Sequence, residues 1–332
     1  MTKVAMMGGG SWGTAFALVL AEAGSNVTLW TRSETVATDI NEMHRNSRYH
    51  PGVDLPASLV ATTDPAVALV GAEIVVLAVP AQSLRQNLAE WAHSIGENVV
   101  FVSLMKGIEL GTTLRMSQVI AEVTGAELDR IAVVSGPNLA REIVIHQPTA
   151  TTVAAPTQET AMAIQKACTT DYFRPYWTTD VVGTEIGGAV KNVIALANGI
   201  AVGMGLGENS QSSLITRGLA EIGRLGVALG ADPLTFQGLA GVGDLVATCQ
   251  SPLSRNRTFG ENLGKGLTIS ETINMTNQTC EAFKSCQPIL ELAQGLGIEM
   301  PITAEVVEVL HRGKPPKELL SAFMARDTRS EI

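Results

Sequence analysis

The residues best able to do chemistry lie in the run Gly243-Asp244-Leu245-Val246-Ala247-Thr248-Cys249-Gln250-Ser251-Pro252-Leu253-Ser254-Arg255-Asn256-Arg257, which joins a lone carboxylate to a helix start. Ser254 is a favoured N-cap residue. The Arg255-Asn256-Arg257 turn behind it would offer backbone N–H groups, a positive dipole end and guanidinium donors to one dianion. A small phosphorylated ligand fits that chemistry. Near the other end, Lys3-Val4-Ala5-Met6-Met7 reads as a buried strand that runs into Gly8-Gly9-Gly10-Ser11-Trp12-Gly13, a GxGxxG turn. In that setting Gly8 permits the tight turn, Gly10 lets backbone approach a pyrophosphate and Gly13 allows close helix packing, with Ser11 and Trp12 at the helix start. One chain therefore carries signals for a dinucleotide and for a phosphate.

Three further positions carry charge where charge has work to do. After Val27-Thr28-Leu29-Trp30-Thr31 stands Arg32, where an NAD-specific domain would place Asp or Glu on the ribose 2′-hydroxyl. A guanidinium there either pairs with a 2′-phosphate or is a solvated surface group, so NADP(H) is favoured and NAD(H) stays open. Lys106, with Gly107, and Gly136-Pro137-Asn138 follow two strands at their carboxyl ends, the edge where open parallel sheets bind ligands. Lys191-Asn192 lies inside an apolar helix, where a lysine either snorkels to the surface or serves the chemistry. Hydride reduction of a carbonyl makes an alkoxide, and an ammonium beside it can donate the proton. The reverse reaction needs that lysine neutral, so its pKa must fall from about 10.4 through burial and a neighbouring cation such as Lys106. Asp244 either orients Lys191, accepts from a substrate hydroxyl, or caps a helix after Gly241-Val242-Gly243.

The elements that must hold these residues fall into two halves. Apolar runs Lys3–Met7, Val27–Trp30, Ile74–Val79, Val99–Leu104 and Ile131–Ser135, separated by helical patterns, are what buried parallel strands require. Thr149–Ala155 and Tyr172–Thr178 extend the sheet, with a helix from Gln158 to Ala167 between them. Beyond Thr184 the pattern is helical: Gly187–Met204, Gln211–Leu229, Arg255–Leu263, Glu281–Leu296, Thr303–His311 and Pro316–Met324. The expected fold is α/β, a Rossmann-type, doubly wound, mostly parallel sheet over residues 1–180. An all-helical C-terminal domain follows over 181–332, with the active site in the cleft between them.

With 332 residues, 17% charged side chains and mean hydropathy +0.21, the chain has an ordinary globular composition. A net charge of −9 argues against nucleic-acid binding and leaves any anion to a local basic site. Cys168, Cys249, Cys280 and Cys286 lack CxxC spacing, as reduced thiols of a cytosolic protein would, and His44, His50, His93, His146 and His311 never pair at ligand spacing, so no metal is expected. The N-terminal apolar run is not read as a signal peptide, because the phosphate-turn glycines would fall inside it. Gly187–Leu206 carries Lys191, Asn192, Asn198 and several glycines, and is read as a buried helix rather than a membrane span.

Gly8-x-Gly10-Ser11-Trp12-Gly13-Thr14-Ala15, Lys106-Gly107, Ser135-Gly136-Pro137, Lys191-Asn192-Val193-Ile194-Ala195, the Gly243-to-Arg257 run and Glu299-Met300-Pro301-Ile302 together resemble the bacterial NAD(P)-dependent glycerol-3-phosphate dehydrogenases over almost the whole chain. The resemblance implies reversible reduction of dihydroxyacetone phosphate to sn-glycerol 3-phosphate, for glycerophospholipid synthesis, by a cytoplasmic homodimer. It implies Lys191 as general acid/base and a substrate site of Lys106, Gly136, Asn138, Lys191, Asn192, Asp244, Thr248, Ser254, Arg255 and Asn256. It also implies cofactor contacts at Ser11, Trp12, Arg32, Lys106, Ala140, Arg255, Thr279 and Glu281. Three positions depart from the family pattern: Asn138 for the usual Ser or Thr, Thr279 for Val or Ile, and Ala282 for the Gly of a Glu-Gly pair, which bears on the backbone beside Glu281. Two other readings compete. A β-hydroxyacid dehydrogenase shares this architecture and a Lys-Asn pair but takes a carboxylate, against which the Ser254-Arg255-Asn256 cradle argues. A non-catalytic NAD(P)H-sensing module would need neither a buried Lys191 nor Asp244.

Overall fold

The structure, a computed structural model, describes residues 1–276 and 280–319. Eight strands form one sheet: β1 (Lys3–Met7), β2 (Asn26–Trp30), β3 (Val60–Thr62), β4 (Ile74–Leu77), β5 (Val100–Ser103), β6 (Ile131–Ser135), β7 (Thr149–Ala154) and β8 (Phe173–Thr178). Their order is β3-β2-β1-β4-β5-β6-β7-β8. The first six are parallel; β7 runs antiparallel to β6, and β8 is parallel to β7. The doubly wound sheet expected from the alternating runs is present, with β3 as an additional short edge strand.

Alternation along the strands feeds two cores. Val4, Met6, Val27, Leu29, Val76 and Val102 face the helix Ser11–Glu22 through Phe16 and Val19. Ala5, Met7, Val75, Leu77 and Phe101 face Leu84, Leu88, Val119 and Ile120 on the other side. Both faces are covered, as a parallel sheet requires. Both edges are blunted as well. The Asn41 amide donates to the Ala61 carbonyl at 2.9 Å and accepts from its N–H at 2.8 Å, which closes β3. On β8, Pro175 has no N–H and its carbonyl accepts from Gln165 Nε2 at 2.8 Å, while Thr170 takes the N–H and C=O of Phe173.

The second half is built on the helix Val181–Gly203, which is buried along nearly its whole length. It begins earlier than its apolar pattern suggests, because Asp180 is the N-cap and accepts from Gly183 N at 2.8 Å. By length and composition this helix could cross a membrane, yet 89% of its most apolar window is packed inside the protein. Around it lie the helices Glu208–Ala228, Asp244–Gln250, Arg255–Gly264, Ile269–Thr276, Glu281–Gly295 and Pro301–His311. Asp244–Gln250 and Ile269–Thr276 are additions to the expected set; the segment 316–324 lies outside the described residues beyond Leu319.

The helix Arg255–Gly264 is pressed onto Val181–Gly203 by paired glycines. A Cβ on Gly199 would sit 2.0 Å from the Arg257 carbonyl oxygen, and one on Gly203 would sit 2.1 Å from that of Glu261. Reciprocally, Gly260 and Gly264 would strike the carbonyls of Leu196 at 2.0 Å and Ile200 at 2.3 Å. Backbone meets backbone here, with no side chain between.

The two halves are tied by Glu185, 5% exposed, on the long helix. From across the domain boundary its carboxylate caps the helix Met116–Thr124, accepting from Ser117 N at 2.8 Å and Ser117 Oγ at 2.6 Å, and it pairs with Arg115, the residue just before that helix. Replacing Glu185 by Ala removes the carboxylate partner of a partly buried guanidinium and uncaps the Ser117 N–H, so a loss of about 3 kcal/mol, the lower end for a broken buried pair, is expected in urea unfolding. A loss below about 1 kcal/mol, the scale of exposed pairs, would show that the clamp carries no such role.

Candidate active site

At the dinucleotide turn, Gly8 has φ +141 and a Cβ there would lie 2.5 Å from the Ala78 carbonyl oxygen; a Cβ on Gly13 would lie 1.9 Å from the Gly8 carbonyl. These two glycines are needed for the turn itself. A Cβ on Gly10 meets nothing within 4 Å, so the space above it is open to a ligand. Gly10 is also the N-cap of Ser11–Glu22, and no side chain caps that helix mouth. The Trp12 Nε1 proton is buried without a hydrogen-bond partner among the described residues. An open, uncapped helix N-terminus at the β1–β4 switch point fits a dinucleotide pyrophosphate.

Arg32 follows β2 and is exposed, and Ala140 begins a short helix after β6. Two residues that sequence patterns did not mark hold the turn from behind. Asn46 Nδ2 donates to Thr14 Oγ1 at 2.8 Å, and His50 Nε2 lies 2.8 Å from the Ser11 carbonyl. Burial lowers the His50 pKa against the opposing Ser11 carbonyl, which favours the neutral ring that donates there.

The second cluster assembles from four separate elements. Asp244, 1% exposed, opens the helix Asp244–Gln250 and is a first-turn residue, not a cap. Its Oδ2 accepts from Lys106 Nζ at 2.6 Å and its Oδ1 accepts from Lys191 Nζ. Lys191 also donates to Thr248 Oγ1 at 2.7 Å, whose own proton goes to the Asp244 carbonyl at 2.6 Å. Lys106 donates in addition to the Gly136 carbonyl at 3.1 Å. Two of the three Lys191 N–H bonds are thus committed, which leaves one for a ligand oxygen. Burial pulls the Lys191 pKa down to about 8; Asp244 opposes the fall and Lys106 assists it.

Gly188, one turn before Lys191, makes this convergence possible. A Cβ there would lie 2.6 Å from Ser135 Oγ and 3.3 Å from Lys106 Cγ, so the lysine stem passes through the space that glycine leaves. Its signal in the sequence was only its glycine identity.

The helix mouth forms the third part. Ser254 is the N-cap and accepts from Arg257 N. Asn256 Nδ2 donates to Asn192 Oδ1 at 3.0 Å, while Asn256 Oδ1 accepts from Ala282 N at 3.1 Å, so this amide joins three helices. These contacts fix the side chain and leave one Nδ2 proton and the backbone N–H for a ligand. Ala282 sits in regular helix with its N–H so used, and the backbone beside Glu281 needs no glycine. Burial raises the Glu281 pKa, with Arg255 the foremost opposing cation, followed by Lys106, Lys191 and Lys284. Arg255 and Glu281 thus share one field with both cluster lysines. Asn138 Nδ2 donates to Thr151 Oγ1 at 2.9 Å beside Gly136. Thr279 lies outside the described residues. The four cysteines are free and buried, and burial pushes each thiol up to about 12, which leaves no nucleophilic thiolate among them.

A Rossmann-type turn in the sheet domain and a buried lysine beside an anion-ready helix mouth in the helical domain define an NAD(P)-dependent oxidoreductase. Residues 3–161 match the family model described as the NAD-dependent glycerol-3-phosphate dehydrogenase N-terminus, and residues 180–321 match that of its C-terminus. The chain belongs to the NAD-dependent glycerol-3-phosphate dehydrogenase family. It is 58% identical over 329 residues to the glycerol-3-phosphate dehydrogenase [NAD(P)+] of Streptomyces avermitilis, covering 99% of this chain and 98% of that one. It is 58% identical over 332 residues to that of Thermobifida fusca, covering 100% and 99%. The crystal structure of the glycerol-3-phosphate dehydrogenase of Coxiella burnetii superposes with TM-score 0.93 at 35% identity, over 97% of this chain and 98% of that one.

Proposed function

We propose that the protein reduces dihydroxyacetone phosphate reversibly to sn-glycerol 3-phosphate, with residues 1–180 holding the dinucleotide and 181–332 holding the substrate. The observation that carries this is the buried Lys106–Asp244–Lys191 cluster, set beside a helix mouth with Ser254 as cap and Arg255 in the first turn. The bound dinucleotide supplies the hydride. Gly8, Gly10, Gly13, Ser11 and Trp12 would hold its pyrophosphate, and Arg32, Ala140, Thr279 and Glu281 would hold its other parts, with Lys106 and Arg255 serving both ligands. Arg32 beyond β2 favours NADP(H) over NAD(H).

Lys191 Nζ gives its proton to the carbonyl oxygen as that oxygen gains negative charge, and is left neutral; in the reverse direction it takes the hydroxyl proton. Asp244 and Thr248 fix the amine, burial assisted by Lys106 keeps its pKa low, and Asn192, Gly136 and Asn138 surround the carbon chain. At the mouth capped by Ser254, the Arg255 and Asn256 N–H groups and the Arg255 guanidinium receive the phosphate. We infer a cytoplasmic homodimer from the family resemblance; the net charge of −9 speaks against nucleic acid as a partner, and four unpaired, buried cysteines suit a reducing compartment.

The direct test follows loss of the reduced dinucleotide's absorbance with dihydroxyacetone phosphate, comparing NADPH and NADH. Absence of turnover with both would end the proposal. Arg255→Ala is expected to raise the Michaelis constant for dihydroxyacetone phosphate and to lower turnover too, since phosphate binding energy positions the reacting carbonyl. Dihydroxyacetone without phosphate should hardly notice the change. An equal loss with both substrates would move Arg255 out of the phosphate site.

A further inference from the structure

We propose that Thr151, a β7 residue outside the proton path, is the positioning residue that sets Lys106 against Lys191. Thr151 is fully buried. Its hydroxyl donates to the Ser135 carbonyl at 3.1 Å and accepts from Asn138 Nδ2 at 2.9 Å. With one proton to give, it must be donor to the first and acceptor to the second, so both ends of the Ser135–Asn138 turn hang on one oxygen. The same atom fills the space beside Gly136: a Cβ there would lie 3.0 Å from Thr151 Oγ1 and 3.1 Å from its Cα, at φ +152. The turn so clamped presents the Gly136 carbonyl, which accepts from Asn138 N at 2.7 Å and from Lys106 Nζ at 3.1 Å. Among the described residues, the Gly136 carbonyl and the Asp244 carboxylate are the oxygens that hold the Lys106 ammonium in place. Loosening the turn removes one of them and lets the lysine swing away from Lys191.

This inference rests on Lys191 being the proton carrier. The charged or titratable groups that bear on its amine are Asp244 in direct contact, Lys106, and Glu281 and Cys249 nearby. Of these, only Lys106 is held by the clamped turn. A retreat of its positive charge should make Lys191 hold its proton more tightly.

The test is the pH profile of kcat/KM for dihydroxyacetone phosphate reduction, using the full chain. Thr151→Val keeps the shape and removes the hydroxyl; its alkaline inflection should rise by about half a pH unit, a roughly threefold tighter proton. Thr151→Ser, which restores the hydroxyl, should return the inflection to its original place. In a Lys106→Met background Thr151→Val should add no further displacement. If Thr151→Val does not fold, Thr151→Cys takes its place and should move the inflection in the same direction. An unmoved inflection with lower kcat would overturn the proposal, as would an equal displacement with and without Lys106. If the parent enzyme lacks an alkaline inflection that Lys191→Met abolishes, the proton-carrier reading itself fails, and this inference with it.

Discussion

Lys191→Met is expected to lower turnover by roughly a hundredfold or more, the scale of a general acid with its electrostatic help. Methionine matches the lysine stem as far as Cε but lacks the terminal amine, and so offers no proton and no charge. Binding of the reduced dinucleotide, followed by its fluorescence, should be nearly unchanged, because the phosphate turn at Gly8–Gly13 is built from a different domain. The parent enzyme should show the complementary pH behaviour. Ketone reduction needs the ammonium, so its rate is full below about 8 and falls as pH rises through that value. Alcohol oxidation needs the free amine and should rise through the same value. Normal turnover in Lys191→Met would remove the lysine from the mechanism; a pH profile with the opposite sense would assign the proton to another group.

Gly199→Ala is expected to damage stability and activity together. Its Cβ would lie 2.0 Å from the Arg257 carbonyl, a backbone atom with no flexible end to move aside. Overpacking of this kind costs about 1–3 kcal/mol, and a rigid neighbour places it at the upper end. Relief must come from sliding the helix Arg255–Gly264, whose first turn is the phosphate mouth. A displacement near 1 Å there is expected to reduce kcat/KM by about a hundredfold. Gly295→Ala is the control, because a Cβ there meets nothing within 4 Å. It should be neutral or slightly stabilising, as helix propensity dictates. Urea unfolding of both variants checks the first effect and steady-state kinetics the second; if Gly199→Ala behaves like the control, the helices have room that their backbones do not display.

Much of this arrangement is legible in the sequence because local rules agree with the tertiary outcome. The β1–turn–helix unit, Ser254 as an N-cap and the apolar run around Lys191 each announce themselves within a dozen residues. β3 escapes notice because three residues are too few to show a period, and its edge is completed by a side chain, Asn41. The helix Asp244–Gln250 is hidden behind a kinked turn at Leu239–Gly243, where Gly241 leaves helical geometry and the glycines suggest a loop. Asp244 illustrates the deeper limit. Its role as cap or partner cannot be decided from neighbours in the chain, since beside Thr248 on its own helix its charged partners are Lys106 and Lys191, brought to it by two other segments. Gly188 and Thr151 are silent for the same reason: one matters for the atom it lacks, the other for contacts made across a sheet.

The paired glycines between Val181–Gly203 and Arg255–Gly264 have a bearing on selectivity. Helices spaced by side chains can ease apart by a rotamer change, whereas carbonyls seated against Cα atoms leave no such slack. Lys191 and the Ser254 mouth lie on these two helices, so the span between the proton carrier and the anion seat is a fixed length. Under the function proposed above, the cleft acts as a gauge of carbon count: a phosphate placed one carbon nearer to or farther from the carbonyl keeps every charge and loses the register.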